Sequence, residues 1–197
     1  MTEVRSSSFL NMVLTLAGVT LVSAFSLGFV YDLTEEPIAE ARRAKQLRAI
    51  QKVLGGFDND PVAESFKLPG LPEDDSLAVF PGLHSGAIVG FAIQSYSNTG
   101  YSGRIDVMVG LTSAGDIMEI QVVAHRETPG LGSKITAERY LRQYKGQHPE
   151  QFDVRVEKDG GNVDAISGAT ISSRAVSEAI QLAYDAFKQY QDEEGAE

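Results

Sequence analysis

"RIDVMVGLTSAGDIMEIQVV", residues 104–123, alternates apolar and polar side chains twice, with a turn between the two halves. Successive side chains of a strand point to opposite faces, so Ile105, Val107 and Val109 share one side. In the second half Met118, Ile120 and Val122 stand opposite Glu119 and Gln121, and "SAGD" at 113–116 is the hairpin turn. Two strands joined this tightly pair antiparallel. Upstream, "AVF" at 78–80 and "AIVGFAI" at 87–93 are short apolar runs bounded by turn residues and read as further strands, whereas 61–76, with Pro69, Pro72 and acids, reads as loop. Downstream, a helix is expected over 135–145, with Ala137, Tyr140, Leu141 and Tyr144 on its apolar side and Gly146 as its stop. "FDVRV" at 152–156 reads as one more strand. In the last helix Ala175, Val176, Ala179, Ile180, Leu182, Ala183, Ala186 and Phe187 recur at helical spacing before an acidic, frayed tail at 191–197. The pattern predicts an α+β domain, an antiparallel sheet with flanking helices, over 61–190.

The N-terminal part differs in kind. Residues 9–30 carry no charge, and at about 1.5 Å per residue they span roughly 33 Å, enough for a bilayer core. "VSA" at 22–24 resembles a signal-peptidase site, but the apolar run continues past it and the preceding basic region is only Arg5, so a retained transmembrane helix is expected. An amphipathic stalk helix follows within 31–60: Thr34 is suited to cap it, Pro37 to its first turn, and Gly55-Gly56 to end it. Arg42, Arg43, Lys45 and Arg48 follow the anchor and Arg5 alone precedes it, a count that would keep the domain in the cytoplasm. Glu35, Glu36 and Glu40 among those cations weaken that vote.

Composition excludes several chemistries. With no cysteine there is no disulfide, thiolate catalysis, zinc ribbon or cysteine-held iron–sulfur cluster. A net charge of -10 and the lack of a basic, aromatic-interleaved stripe argue against nucleic acid as a partner. His84, His125 and His148 lack metal-ligand spacing, and no nucleophile elbow, Walker A loop or dinucleotide fingerprint occurs.

Three glycine-bearing turns remain. "DAISGATISS" at 164–173 opens the last helix, where Thr170, Ser172 and Ser173 are all suited to capping. The same helix start, with unpaired N–H groups and Gly168 admitting a close approach, also suits a phosphate. "HRETPGLG" at 125–132 could lay backbone donors and Leu131 against a flat ring, or simply connect a strand to a helix. "GYSG" at 100–103 offers Tyr101 for stacking, or a tyrosine packed locally in a turn.

These three motifs, in this order behind an N-terminal anchor, resemble the covalent FMN-binding domain family, found in the G subunit of the Rnf electron-transport complex and the C subunit of the sodium-pumping NADH:quinone reductase. The resemblance extends over essentially the whole chain, and the compact length is similar to that of the Rnf protein. It implies FMN esterified through its phosphate to Thr170, with Ser167, Gly168 and Ala169 beside it in the cofactor site, and a magnesium-dependent flavin transferase that uses FAD and reads Asp164, Ser167, Gly168 and Ala169. It also implies that Glu127, Thr128, Leu131 and Gly132, with Tyr101, line the flavin. The implied role is an electron relay without catalytic residues of its own, in an ion-translocating ferredoxin:NAD oxidoreductase with membrane and iron–sulfur subunits. The implied place is a bacterial cytoplasmic membrane, residues 1–8 inside and the FMN domain extracytoplasmic, against the Lys/Arg count. The alternatives are an FMN-bearing subunit of another respiratory complex, or a noncatalytic membrane-anchored binding module in which "SGAT" is only a cap.

Overall fold

The computed structural model describes residues 9–69 and 76–194. The N-terminal segment 1–8, residues 70–75 of the stretch read as loop, and the last three residues of the acidic tail lie outside the described residues. The chain divides into two compact units, Met1–Lys45 and Gln46–Glu197.

The first unit is helical throughout its described part. Helix α1, Phe9–Leu54, is continuous, so the transmembrane and stalk helices expected on either side of Thr34 are one element. Thr34 caps nothing: its hydroxyl donates back to the carbonyls of Val30 and Tyr31, at 2.8 and 3.2 Å. Pro37 lies inside the helix and removes one backbone donor, a loss confined to a single turn of an element long enough to tolerate it. Every side chain of 9–30 is exposed, and the mean hydropathy of its most apolar window is 2.1, so length and composition suffice to cross a membrane. Thr15 and Thr20 hydrogen-bond the carbonyls of Asn11 and Leu16, which satisfies both hydroxyls without water.

The second unit is built on one antiparallel sheet, ordered as the chain runs: β1 (Phe66–Pro69), β2 (Ser76–His84), β3 (Ala87–Gly100), β4 (Gly103–Leu111) and β5 (Ile117–Ala124). β1 lies in the stretch read as loop; its four residues are too few to show an alternation. The β4–β5 hairpin forms as expected, Gly115 N–H donating to the Thr112 carbonyl.

Interior strand β4 is covered on both faces, which explains why its sequence is apolar almost throughout. Ile105, Val107 and Val109 join Ile93, Ile120, Val176, Ile180 and Phe187 in the larger core, beneath helix α3 (Thr170–Glu194). Phe91 and Phe187 rings lie 5.3 Å apart there, each such side chain contributing about 1.5–3 kcal/mol by burial. Met108 faces the other way, into a smaller core with Ala92, Phe80 and the last turns of α1, where Ala49, Ile50, Val53 and Leu54 are buried. On β5 the expected partition changes. Register shifts against β4 leave Met118 and Val123 without opposite residues, and these bulges turn both toward the smaller core. Ile117 thereby joins Ile120 and Val122 in the larger one.

Between β5 and α3 the chain is less regular than its pattern suggests. The helix expected over 135–145 is a 3₁₀ turn at Gly132–Thr136 followed by the single turn of α2, Glu138–Leu141, because Ala137 is extended, φ -71° and ψ 131°, and interrupts it. Tyr140, Leu141 and Tyr144 are buried as expected, while Ala137 is exposed. "FDVRV" is no sheet strand. Asn162 and Val163 N–H groups fold back onto the Asp153 and Arg155 carbonyls, leaving one isolated Val156–Val163 bridge and a 3₁₀ turn at Glu157–Asp159. The acidic tail is helical as far as Glu194.

Candidate functional site

Glu127 assembles the site. It is buried at 4% exposure, its Oε1 accepts the Ser102 N–H at 3.1 Å, and its Oε2 accepts the Ser172 hydroxyl at 2.8 Å. One carboxylate therefore ties "GYSG", "HRETPGLG" and "SGATISS" together across distances in sequence that no local pattern spans. Its own N–H donates to His125 Nδ1 at 3.2 Å, which accounts for that histidine. Glycine is required where the carboxylate passes: a Cβ on Gly132 would lie 2.7 Å from Glu127 Oε2, and one on Gly100 2.8 Å from Oε1. The GYSG turn is held from its other side, since Glu178 of α3 accepts both the Ser97 and Thr99 hydroxyls at the end of β3.

The three turns enclose a cavity of about 570 Å³, within the range of small-molecule sites. Tyr101, Glu127, Thr128, Leu131, Gly132, Gly168, Ala169 and Thr170 line it, eight of the residues singled out from the sequence. Tyr101 is 70% exposed and Leu131 48% exposed, so both present apolar surface to the cavity. Ser167 and Asp164 line instead a neighbouring cavity of about 590 Å³, with Lys134, Arg139, Arg142 and Gln143. Lys158, Ile171 and Ser172 line the first cavity and were not anticipated. Nothing in the pattern around Lys158 marks it, because a backbone detour brings it there.

Thr170 is the first residue of α3, and its hydroxyl does not cap the helix. It accepts a hydrogen bond from Lys158 Nζ at 3.1 Å. Ser172 is committed to Glu127, and Ser173 is the hydroxyl that organises the turn, accepting from Ile166 N–H at 3.1 Å and donating to the Ala169 carbonyl at 3.0 Å. The first N–H groups of α3 have no carbonyl partner within the helix, and Thr170, Ile171 and Ser172, which carry them, line the cavity at the end with the helix's partial positive charge. Gly168 precedes this start at φ +78°, a conformation that suits glycine.

Behind the site, Tyr140 and Tyr144 hydroxyls bond each other at 2.9 Å, and they reach the Ser173 carbonyl and the Ser177 hydroxyl of α3 at 3.2 and 3.1 Å. Burial, with the neighbouring Tyr144 adding to it, pushes the Tyr140 phenol well above its ordinary value; burial raises Tyr144 as well. On the outer side Arg174 makes a two-pronged pair with Asp159, at 2.6 and 2.7 Å, which holds the Asp159 carboxyl below its usual range. Arg174 is thus occupied by a carboxylate and does not line the cavity.

The arrangement offers a nucleophilic hydroxyl, a cation, helix N–H donors and apolar walls: features that suit a ligand with a flat ring and a phosphate. Comparison with known proteins agrees. Residues 100–185 match the family model of the FMN-binding domain, and residues 1–53 match that of the RnfG N-terminal region. The G subunit of the ion-translocating oxidoreductase complex of Pseudomonas aeruginosa strain UCBPP-PA14 is 35% identical over 190 residues, covering 89% of this chain and 87% of that protein. The protein of the same name from Vibrio cholerae strain O395 is 32% identical over 190 residues, covering 90% of each, and that of Aliivibrio fischeri MJ11 31% over 209 residues, covering 98% and 94%. Among solved structures, Shewanella oneidensis NqrC overlaps 58% of this chain and 62% of its own at 23% identity and a TM-score of 0.45.

Proposed function

Since this chain belongs to the family of G subunits of ion-translocating oxidoreductase complexes, we propose that it is the FMN-bearing electron-relay component of such a complex, a membrane-anchored part of a translocase, with the cofactor esterified to Thr170. The observation that carries the assignment is the Thr170 hydroxyl: it stands at a helix start, in a cavity built by three turns, and has no capping duty. Ser173 performs the local task that would otherwise explain a hydroxyl there.

FMN, when bound, takes up and passes on one or two electrons. The residues present fit it. Helix N–H groups and Lys158 suit the phosphate, Leu131 and Tyr101 offer apolar surface to a ring, and Gly132 leaves room for the Glu127 carboxylate in the wall. Glu127, Thr128, Ala169 and Gly168 complete the wall, while Asp164 and Ser167, on the neighbouring surface, are where a flavin transferase would read the motif. The chain's own work is to hold, shield and orient; no proton transfer by a side chain is needed. In this reading 9–30 spans the membrane with 1–8 on the cytoplasmic side, 31–60 links it to an extracytoplasmic FMN domain at 61–190, and membrane and iron–sulfur subunits are the electron partners.

The test is intact mass of the denatured full chain, co-produced with a magnesium-dependent flavin transferase, followed by peptide mapping. The expected increment is one FMN less one water on the peptide containing Thr170. Thr170→Ala should abolish it and change stability by less than about 0.5 kcal/mol, since no cap is lost. Flavin retained through denaturation by a folded Thr170→Ala chain would refute the attachment.

A further inference from the structure

Lys158 Nζ lies 3.1 Å from Thr170 Oγ1, and both side chains line the same cavity. This contact is made by a detour in the chain. After Val154 the backbone loops out and returns, with Asn162 N–H on the Asp153 carbonyl and Val163 N–H on that of Arg155. At the tip is the 3₁₀ turn Glu157–Asp159, closed by Gly160 in the left-handed region, φ +85°. Asp159 then fixes this turn to the start of α3, at its fifth residue, through its two bonds to Arg174. A bidentate guanidinium–carboxylate pair constrains direction as well as distance. Lys158, next to Asp159 in this pair and after Glu157, whose N–H is held by the Val163 carbonyl, is thus carried over Thr170 rather than left to sweep through solvent. Its ammonium has no carboxylate partner among the described residues, although Glu157 and Asp159 flank it, because Asp159 is engaged by Arg174.

We propose that Lys158 is the cationic partner of Thr170 in flavin attachment: it holds the hydroxyl toward the cavity for phosphoryl transfer and then neutralises the phosphodiester. The inference rests on the attachment to Thr170 proposed above. In the reaction, Thr170 Oγ1 bonds to the flavin-side phosphorus of FAD, the pyrophosphate P–O bond breaks, AMP leaves, and the hydroxyl proton passes to a base of the transferase. Phosphoryl transfer is governed chiefly by positioning and by stabilisation of charge on the phosphoryl oxygens. A lysine on the acceptor oxygen contributes to both: it orients the attacking atom, and its charge reaches the non-bridging oxygens once the bond has formed. Arginine at the same place preserves the charge; alanine removes both effects.

The experiment is timed incorporation. Full-length chains are incubated with purified transferase, FAD and Mg²⁺, and the mass of the denatured product is read at intervals. Lys158→Ala should slow the initial rate by about tenfold, as expected for loss of one hydrogen bond to a charged group, with thermal stability unchanged because the side chain is exposed. Lys158→Arg should keep the rate within about threefold, and Arg174→Ala, which frees the turn, should fall between the two. A Lys158→Ala rate within twofold of the parent overturns the proposal. Equal slowing by alanine and arginine overturns its electrostatic part. Absence of label on the unsubstituted chain, with a transferase active on another substrate, overturns the attachment to Thr170 itself and this inference with it, an outcome distinct from the other two.

Discussion

Replacing Glu127 separates its role as a joint from its charge. In Glu127→Ala the Ser172 hydroxyl, whose residue is 1% exposed, loses its acceptor, a loss of about 1–3 kcal/mol for a buried unsatisfied group. The Ser102 N–H, on an exposed residue, turns to water at little cost. Removing the buried methylene and carboxylate leaves a void between Gly100 and Gly132, whose Cβ positions lie within 3 Å of the carboxylate, adding about 1 kcal/mol. The sum is about 2–4 kcal/mol, or roughly 5–15 °C in Tm for a domain of this size. Glu127→Gln keeps both bonds if its carbonyl faces Ser102 and its amide donates to the Ser172 oxygen. It should lose only charge assistance, about 1 kcal/mol. The assay is urea unfolding of the full chain in detergent, followed by tyrosine fluorescence and far-ultraviolet circular dichroism, with flavin incorporation measured alongside. Alanine should lower both stability and incorporation; glutamine should lower neither by much. Equal loss in the two variants, or alanine within about 0.5 kcal/mol of the parent, would show that the carboxylate does not join the three turns.

The tyrosine pair sets an alkaline limit. Because burial raises both phenols above the unfolded value near 10, the stability they contribute is complete below about pH 10 and is lost as pH rises through the folded values. The urea midpoint should therefore fall as pH rises above about 10, and Tyr140→Phe should flatten that fall while costing about 1 kcal/mol at neutral pH; a wild-type midpoint that stays constant above pH 10 would contradict the assignment. Gly168→Ala should destabilise by about 1–2 kcal/mol through its positive φ alone, since the added Cβ meets only Leu131 Cδ2 at an ordinary 3.6 Å. A neutral outcome in thermal unfolding would mean that the turn can relax.

Local pattern was enough wherever one face of an element meets one layer. Ile105, Val107 and Val109 could be placed from alternation because the whole layer over that side, α3 with Ile135, Leu141, Tyr144, Val154 and Val163, forms one core. The same rule failed on β5, where the sequence carries no mark of the bulges at Met118 and Val123 and the second layer comes from the distant end of α1. Thr34 and Pro37 were misread for a related reason: cap signals are local, but a helix continues when both flanks propagate it. "FDVRV" alternates like a strand, yet hydrogen bonds to Asn162 and Val163 outcompete a sheet edge it never reaches. In the site, glycine-rich turns were legible because backbone conformation restricts residue choice. Lys158 was not, since lysine fits almost any exposed turn and only the Asp159–Arg174 pair makes its position particular.

The anion proposed at Thr170 also has to be reconciled with a chain of net charge -10. Distance decides. Exposed carboxylates more than about 8 Å away are largely screened at physiological salt, so the global excess contributes little at any one point. Within the cavity, Glu127 directs its two oxygens to Ser102 and Ser172, and outside it Asp159 is neutralised by Arg174. Lys158 Nζ, exposed and 3.1 Å from the hydroxyl, attracts an anion formed there, and the helix start adds about 0.3–1 kcal/mol. Thr170 therefore stands beside a cation and a helix start, an inversion of the domain's acidic balance. That inversion rests on one lysine and one helix end, which is why substitution there should act on cofactor attachment long before it acts on the fold.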